Sequence, residues 1–178
     1  DETTAVTPFL TYANQIRSVV VENGVTSIGE NAFYGCNRLT SVSLPDTLYA
    51  INSNAFYGCS HLTDIQIPEG TESLSGSAFR NCNALRTLQF PASLTNCENV
   101  SYLYTCNGLE NFVVDADNPS YASVDGILYN KKKSSLLVVP SAWNQTVLTV
   151  PETVTQIASE AMDNNQKVQK VILPAGLT

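Results

Sequence analysis

One segment recurs three times in this chain with a period of 23 residues. The segment "ENAFYGCNRLTSVSLP" (residues 30–45) returns as "SNAFYGCSHLTDIQIP" (53–68) and again as "GSAFRNCNALRTLQFP" (76–91). A period of roughly 20 to 50 residues indicates stacked structural units, each too small to bury its own apolar residues. The chain is therefore predicted to fold as a solenoid in which every turn covers the apolar flank of the next.

Two shorter periods alternate inside each repeat. In "LTSVSLP", apolar Val42 and Leu44 alternate with serines, which predicts a short strand that ends at Pro45. In "NAFYGC", a small residue beside a large one precedes a glycine turn. Equivalent strands of successive repeats are expected to pair in parallel, about 4.8 Å apart. The apolar positions of one repeat are Leu39, Val42, Leu44, Leu48, Ile51, Ala55, Phe56 and Cys59.

The fourth repeat departs from this spacing and the pattern then stops. Cys97 takes the place of Ile51, Tyr102 falls at the position of Phe56, and one residue is inserted before Cys106. The pattern returns at residues 148–162 with a constant offset of 106 from residues 42–56. The predicted organisation is an N-terminal cover (1–14), repeats (15–114), an insertion with a β-hairpin (115–146), and repeats (147–178). Because the last repeat lacks its second half, we expect the chain to be part of a longer protein.

Composition excludes two functional classes. The net charge is -7 and the only basic run is Lys131–Lys133, so a nucleic-acid interface is not expected. No apolar run approaches the ~20 residues of a membrane-spanning helix, so membrane insertion is not expected either. Three of the five cysteines are spaced 23 residues apart, which predicts buried thiols that mark the repeat rather than disulfides or a metal site.

The motif at Ile28–Pro45 resembles the BspA-like, or treponemal-type, leucine-rich repeat. The similarity extends over residues 15–114 and 147–178, and residues 118–140 resemble an interruption that recurs in that family. The resemblance implies a right-handed, curved leucine-rich repeat solenoid of the α/β class. Short parallel strands would line its concave face, and turns or short helices its convex side. It also implies an extracellular or cell-wall location and a role in adhesion or protein binding.

The concave strand face is the first candidate site, because its side chains alternate with the buried ones and do not serve the core. These side chains are small and mostly uncharged, as in solenoids that make many weak contacts over a long surface. The alternative is a solvated sheet face without a partner, since large aromatic anchors are missing there. The candidate residues are Ser18, Ser41, Ser43, Asp64, Gln66, Thr87, Gln89 and Asn111, accompanied by Val20, Val113, Val147, Thr149, Lys170 and Ile172.

The insertion is the second candidate site. Its predicted hairpin (127–129 and 136–139) carries Lys131, Lys132 and Lys133 at the tip, where they could meet an acidic partner or form a solvated turn. Trp143, the only tryptophan, would be a binding anchor if exposed. If buried, it would fix the insertion to the solenoid, and burial is favoured.

Metal binding and catalysis have little support in the sequence. Asp115, Asp117, Asn118 and Asp125 hint at calcium, but the glycine and glutamate of an EF-hand loop are missing, which favours a turn-rich loop. His61 lies in a variable loop, and no nucleophile or phosphate-binding motif is found. No enzymatic activity and no cofactor are predicted.

Three functions remain open. The first is recognition of a host or bacterial surface protein by the concave face of a secreted or surface-attached protein. The second is a structural spacer for another domain. The third is a carbohydrate-binding part of a larger hydrolase, for which an exposed aromatic row would be expected.

Overall fold

A computed structural model describes residues 8–178 of the chain. They form a β-solenoid of about seven turns with parallel strands and very little helix, which confirms the predicted leucine-rich repeat architecture. Part of the predicted cover segment lies outside the described residues. In the part that is described, residues Leu10–Tyr12 form a 3₁₀ helix, and the Phe9 ring stacks on Phe33 at a centroid distance of 5.4 Å.

The strands are short, with two to four residues each. In chain order they are β1 (Ser18–Val20), β2 (Ser27–Ile28), β3 (Ser41–Ser43), β4 (Ala50–Ile51), β5 (Ser73–Ser75), β6 (Thr87–Phe90), β7 (Asn96–Glu98), β8 (Asn111–Val114), β9 (Tyr121–Val124), β10 (Ile127–Asn130), β11 (Ser135–Val138), β12 (Val147–Thr149), β13 (Gln156–Ile157) and β14 (Lys170–Ile172).

The strands form two sets of ladders. The predicted strand of each repeat pairs in parallel as β1–β3, β6–β8 and β12–β14, and these six strands with residues 62–67 are called the strand face below. A second parallel sheet, in the order β2–β4–β5–β7, runs through the Ile51 position of each repeat. In it Ile51 is opposite Leu74, and Leu74 is opposite Cys97, so Cys97 does replace the isoleucine of the fourth repeat.

The core of the first repeats contains columns of equivalent side chains. The rings of Phe33, Phe56 and Phe79 stack with centroid distances of 5.3 and 5.6 Å. The thiol of Cys59 donates to the carbonyl of Phe33, 3.4 Å away, and Cys82 repeats this contact with Phe56 at 3.1 Å. All five cysteines are buried and free, so the predicted column of thiols is confirmed.

The extra residue of the fourth repeat lies within a 3₁₀ helix, Val100–Thr105. The sequence predicted Tyr102 at the core position of Phe56, but Leu103 is fully buried there and Tyr102 is only half-buried. The extra residue therefore precedes the large apolar position instead of following it. Tyr102 instead packs beneath Arg80, whose guanidinium carbon lies 5.1 Å from the ring centroid.

The insertion forms a wall between two apolar cores. The predicted hairpin is present as β10 and β11, with β9 added on its other side, and β11 also pairs in parallel with β13 of the following repeat. Leu128 and Val138 pack into the core of the first repeats, whereas Tyr129 and Leu136 pack into a second core with the C-terminal repeats. Since repeats and insertion share one sheet, the division at residues 114 and 146 stays a prediction.

Candidate binding face

The strand face presents alternate side chains to solvent, in register between paired strands, and in β14 all three residues are exposed. Ser18 lies opposite Ser41, and Val20 lies opposite Ser43. Val19, between Ser18 and Val20 in β1, is half-buried. Farther along, Thr87 is paired with Asn111 in β6–β8, and the same exposed alternation continues there. Within this face Ser18, Ser41, Ser43, Asp64, Gln66, Gln89, Asn111, Thr149 and Lys170 are exposed, and Thr87 is half-buried.

The strand face is not one continuous sheet, although equal spacing predicted one. Residues 62–67 bury Leu62, Ile65 and Ile67 and expose Asp64 and Gln66, but they form no ladder with β3 or β6. The amide nitrogen of Gln66 instead donates to the two carboxylate oxygens of Asp64, at 3.2 and 3.3 Å. These two side chains therefore form a polar pair of their own.

A turn of the insertion makes the second break in the strand face. The carbonyl of Gly126 accepts a 2.8 Å hydrogen bond from the backbone N–H of Phe112 in β8. A Cβ atom at Gly126 would lie 2.7 Å from Oδ1 of Asn111, and its φ of 79° also favours glycine. Asn111 is thus a contact of the insertion as well as a member of the face.

Trp143 is buried, as the sequence favoured, and does not serve as an exposed anchor. Its side chain is 8% exposed, and Nε1 donates to the backbone carbonyl of Asp125 at 2.7 Å. The indole therefore ties the Asp125–Gly126 turn to the segment that leads into β12.

The three lysines of the insertion differ in their contacts. Lys131 donates from Nζ to the carbonyl of Ala116 at 2.8 Å, and Lys133 occupies a turn position with a φ of 53°. All three are exposed, but only Lys132 and Lys133 carry ammonium groups without a hydrogen-bond partner in the described part of the chain. The predicted acidic partner of this run stays a prediction.

The oxygen-rich loop is organised by a buried amide. Nδ2 of Asn118 donates to the carbonyls of Pro91 (2.7 Å) and Leu94 (2.8 Å). Its Oδ1 accepts from the backbone N–H groups of Ser120 and Tyr121. These four hydrogen bonds leave Asn118 fully engaged. Among residues 8–178, no group of three or more His, Cys, Asp or Glu side chains could hold a metal ion.

A cleft of about 380 Å³ lies on the strand face between the insertion turn and β12. The cleft was not predicted from the sequence, because the insertion turn and β12 are separate segments that meet only in the folded chain. The residues that matter for its chemistry are Asp125, Tyr129, Trp143, Gln145, Val147 and Thr149. Burial, and secondly the Asp125 carboxylate, raise the pKa of the Tyr129 phenol to about 12.

Comparison with known proteins identifies the repeat. The sequence profile described as "BspA type Leucine rich repeat region" matches six copies, over residues 7–123 and 141–178. Comparison with curated protein sequences gives no significant match. In the described part of the chain, no helix has the length and apolar character needed to cross a membrane.

Solved structures share the fold. A leucine-rich repeat protein from Eubacterium ventriosum is 25% identical with a TM-score of 0.79, over 98% of this chain and 52% of its own. The pneumococcal vaccine antigen PcpA is 24% identical with a TM-score of 0.78, over 90% of this chain and 45% of its own. The leucine-rich repeat protein of T. pallidum is 20% identical with a TM-score of 0.55, over 91% and 59%. The chain thus spans about half the length of the first two.

Proposed function

Since this chain belongs to the BspA-type leucine-rich repeat family, we propose that it is a non-enzymatic extracellular module that binds a partner protein through its strand face. Leucine-rich repeat domains generally bind proteins, and the family and fold are those of repeat proteins rather than of known enzymes. The partner would be a protein of a host or bacterial surface, and the role one of adhesion.

The observation that carries this proposal is the exposure of apolar side chains among polar ones on the strand face. Val20 is 70% exposed, Val113 49% and Val147 44%, although each belongs to a strand held in place by its neighbour. Apolar groups held at a rigid surface lose water-exposed area when a partner covers them, which makes binding favourable. The adjacent serine, glutamine and threonine side chains can supply hydrogen bonds at the rim.

An extracellular location agrees with the way the chain keeps its thiols. All five thiols are free and buried, and the pKa of each is raised. Little reactive thiolate is therefore available for oxidation. The name of the similar pneumococcal protein, a vaccine antigen, agrees with a bacterial surface setting.

Carbohydrate binding is the weaker alternative. The parallel tyrosine pair outside the core, Tyr34 and Tyr57, stacks at a centroid distance of 4.6 Å, so each ring covers one face of the other. A sugar ring stacks on a free aromatic face, and the stacking of Tyr34 on Tyr57 covers one face of each ring. A spacer role would require only rigidity, and it leaves the exposed valines unexplained.

Binding to immobilised extracellular-matrix proteins and to a glycan array would test the proposal. A strand-face variant, S43R/Q89R/T149R, places three charges on exposed positions of β3, β6 and β12. A matched control, N37R/T95R/Q166R, places the same charges on exposed positions outside the strands. We expect the face variant to lose at least about tenfold in affinity for a matrix protein, while the control keeps it. Equal binding by both variants, or binding to glycans alone, would overturn the proposal.

A further inference from the structure

The cleft between the insertion turn and β12 contains a polar group that the fold leaves without a partner. Tyr129 is 1% exposed, and its hydroxyl has no hydrogen-bond partner among the described residues. Among the described residues, the one fully enclosed side-chain polar atom without a partner is Nε of Arg80. The Tyr129 hydroxyl, which also lacks a partner, is therefore not fully enclosed, and it reaches solvent at the cleft that its side chain lines.

A single charge, and a negative one, borders this opening. Asp125 is the one charged residue in the lining, and it is exposed at the tip of the insertion turn. Its backbone carbonyl is used by Trp143, but its carboxylate makes no hydrogen bond within the described residues. The carboxylate is thus free to accept hydrogen bonds from a cation, as carboxylates do strongly.

The walls of the cleft favour a side chain over a sugar. Val147 and Pro151 offer apolar surface, and Gln145 and Thr149 are exposed polar groups at the rim. Trp143 is buried with its N–H engaged, so its ring is not a stacking platform for a pyranose. A volume of about 380 Å³ is within the range of sites for small groups.

We propose that this cleft receives an arginine side chain of the partner protein, with Asp125 and Tyr129 contacting its guanidinium group. A guanidinium presents five donors in one plane, so it can bond a carboxylate and a phenol oxygen together while its stem lies along Val147. The inference rests on the proposed function, because it names the chemistry that the strand face would recognise at this point.

Titration with Nα-acetyl-arginine methylamide, followed by NMR on ¹⁵N-labelled protein, tests this directly. The single tryptophan gives one indole N–H signal, which reports on the cleft because Trp143 lines it and its N–H is bonded to the Asp125 carbonyl. We expect a saturable shift of this signal. The uncharged citrulline analogue should bind at least about tenfold more weakly, because it lacks the ion pair. The lysine analogue should also bind more weakly than the arginine analogue.

Two variants remove the proposed contacts without disturbing the turn or the core. In D125N the residue keeps a side chain that tolerates the φ of 51°, and the carbonyl that holds Trp143 is unchanged. In Y129F no hydrogen bond within the described residues is lost. Each should weaken arginine binding about fivefold or more with an unchanged melting curve. D46N, an exposed carboxylate outside the cleft, should bind like wild type.

The outcomes separate this inference from the proposed function. No saturable shift, equal binding of citrulline, or wild-type binding by D125N and Y129F would overturn it, and so would saturation by methyl glucoside instead of arginine. If the strand-face variant loses its matrix protein while D125N and Y129F keep it, the proposed function stands and the arginine site falls. If all three lose it, both stand.

Discussion

The indole N–H of Trp143 donates to the backbone carbonyl of Asp125 over 2.7 Å, and this contact joins the tip of the insertion to the segment before β12. Eighteen residues separate the two in sequence. The contact closes one side of the cleft and keeps the insertion turn against Asn111 of β8. Trp143, which would have been a binding anchor if exposed, thus has a structural role.

Replacing this indole should cost stability. We expect W143F to lower the free energy of unfolding by about 1–3 kcal/mol, because the Asp125 carbonyl loses its donor and the smaller ring leaves space. Urea unfolding followed by far-UV circular dichroism would measure it. Y129F, which loses no hydrogen bond among the described residues, should stay within about 0.5 kcal/mol of wild type. An equally small effect of W143F would show that the contact is dispensable.

The phenylalanine column should dominate the stability of the first repeats. Phe56 is fully buried between the rings of Phe33 and Phe79. Deleting its ring in F56A should cost about 3–5 kcal/mol, as for other buried phenylalanines. Y49A, at a side chain that is 51% exposed, is the control and should cost far less. A loss under about 1 kcal/mol for F56A, measured by chemical denaturation, would contradict the stacked core.

The thiol column should be chemically silent in the native state. Cys36, Cys59 and Cys82 are 0% exposed, and burial raises the pKa of each thiol. Ellman's reagent should therefore react slowly with native protein, and with all five thiols once guanidinium chloride has unfolded it. Rapid labelling without denaturant would mean that the column is not packed as described.

Stability should fall in alkali because of the buried thiols, Cys97 among them. Burial, and secondly the Glu98 carboxylate, raise the pKa of Cys97 from the ordinary 9.0 to about 12. Between those values the unfolded state binds fewer protons than the folded one, so unfolding becomes easier as pH rises. Each such thiol contributes a loss of up to about 1.4 kcal/mol per pH unit. Urea unfolding of wild type and C97A from about pH 8 to about pH 11 should show a shallower fall for C97A, and parallel curves would refute the linkage.

The buried amide of Asn118 should matter more than any exposed asparagine. N118A removes four hydrogen bonds and leaves the buried carbonyl of Leu94 without this donor. We expect a loss of about 2–4 kcal/mol in the free energy of unfolding, measured by urea denaturation. N144A, at an exposed position, should be near neutral. Addition of calcium should not change the stability of wild type, because Asn118 is already engaged.

The repeat, and with it the register of the strands, followed from the sequence alone. Equal spacing means coils of equal length, so residues 23 apart must lie side by side, as Ser18 and Ser41 or Ile51 and Leu74 do. The same reasoning identified Cys97 as the substitute for an isoleucine and the thiols as core residues. These features could be predicted because each repeat packs against another copy of the same sequence pattern, so equivalent residues become neighbours.

Where the period fails, the arrangement depends on three-dimensional packing that the spacing does not give. Nothing in the spacing showed that Leu103 rather than Tyr102 enters the core, or that residues 62–67 stay out of the ladders. The insertion has no repeated counterpart in the chain. Its two buried faces and its contact with Asn111 therefore depend on packing between segments of different sequence. The cleft exists for the same reason, since side chains far apart in an irregular stretch meet only when the surrounding cores have closed around them.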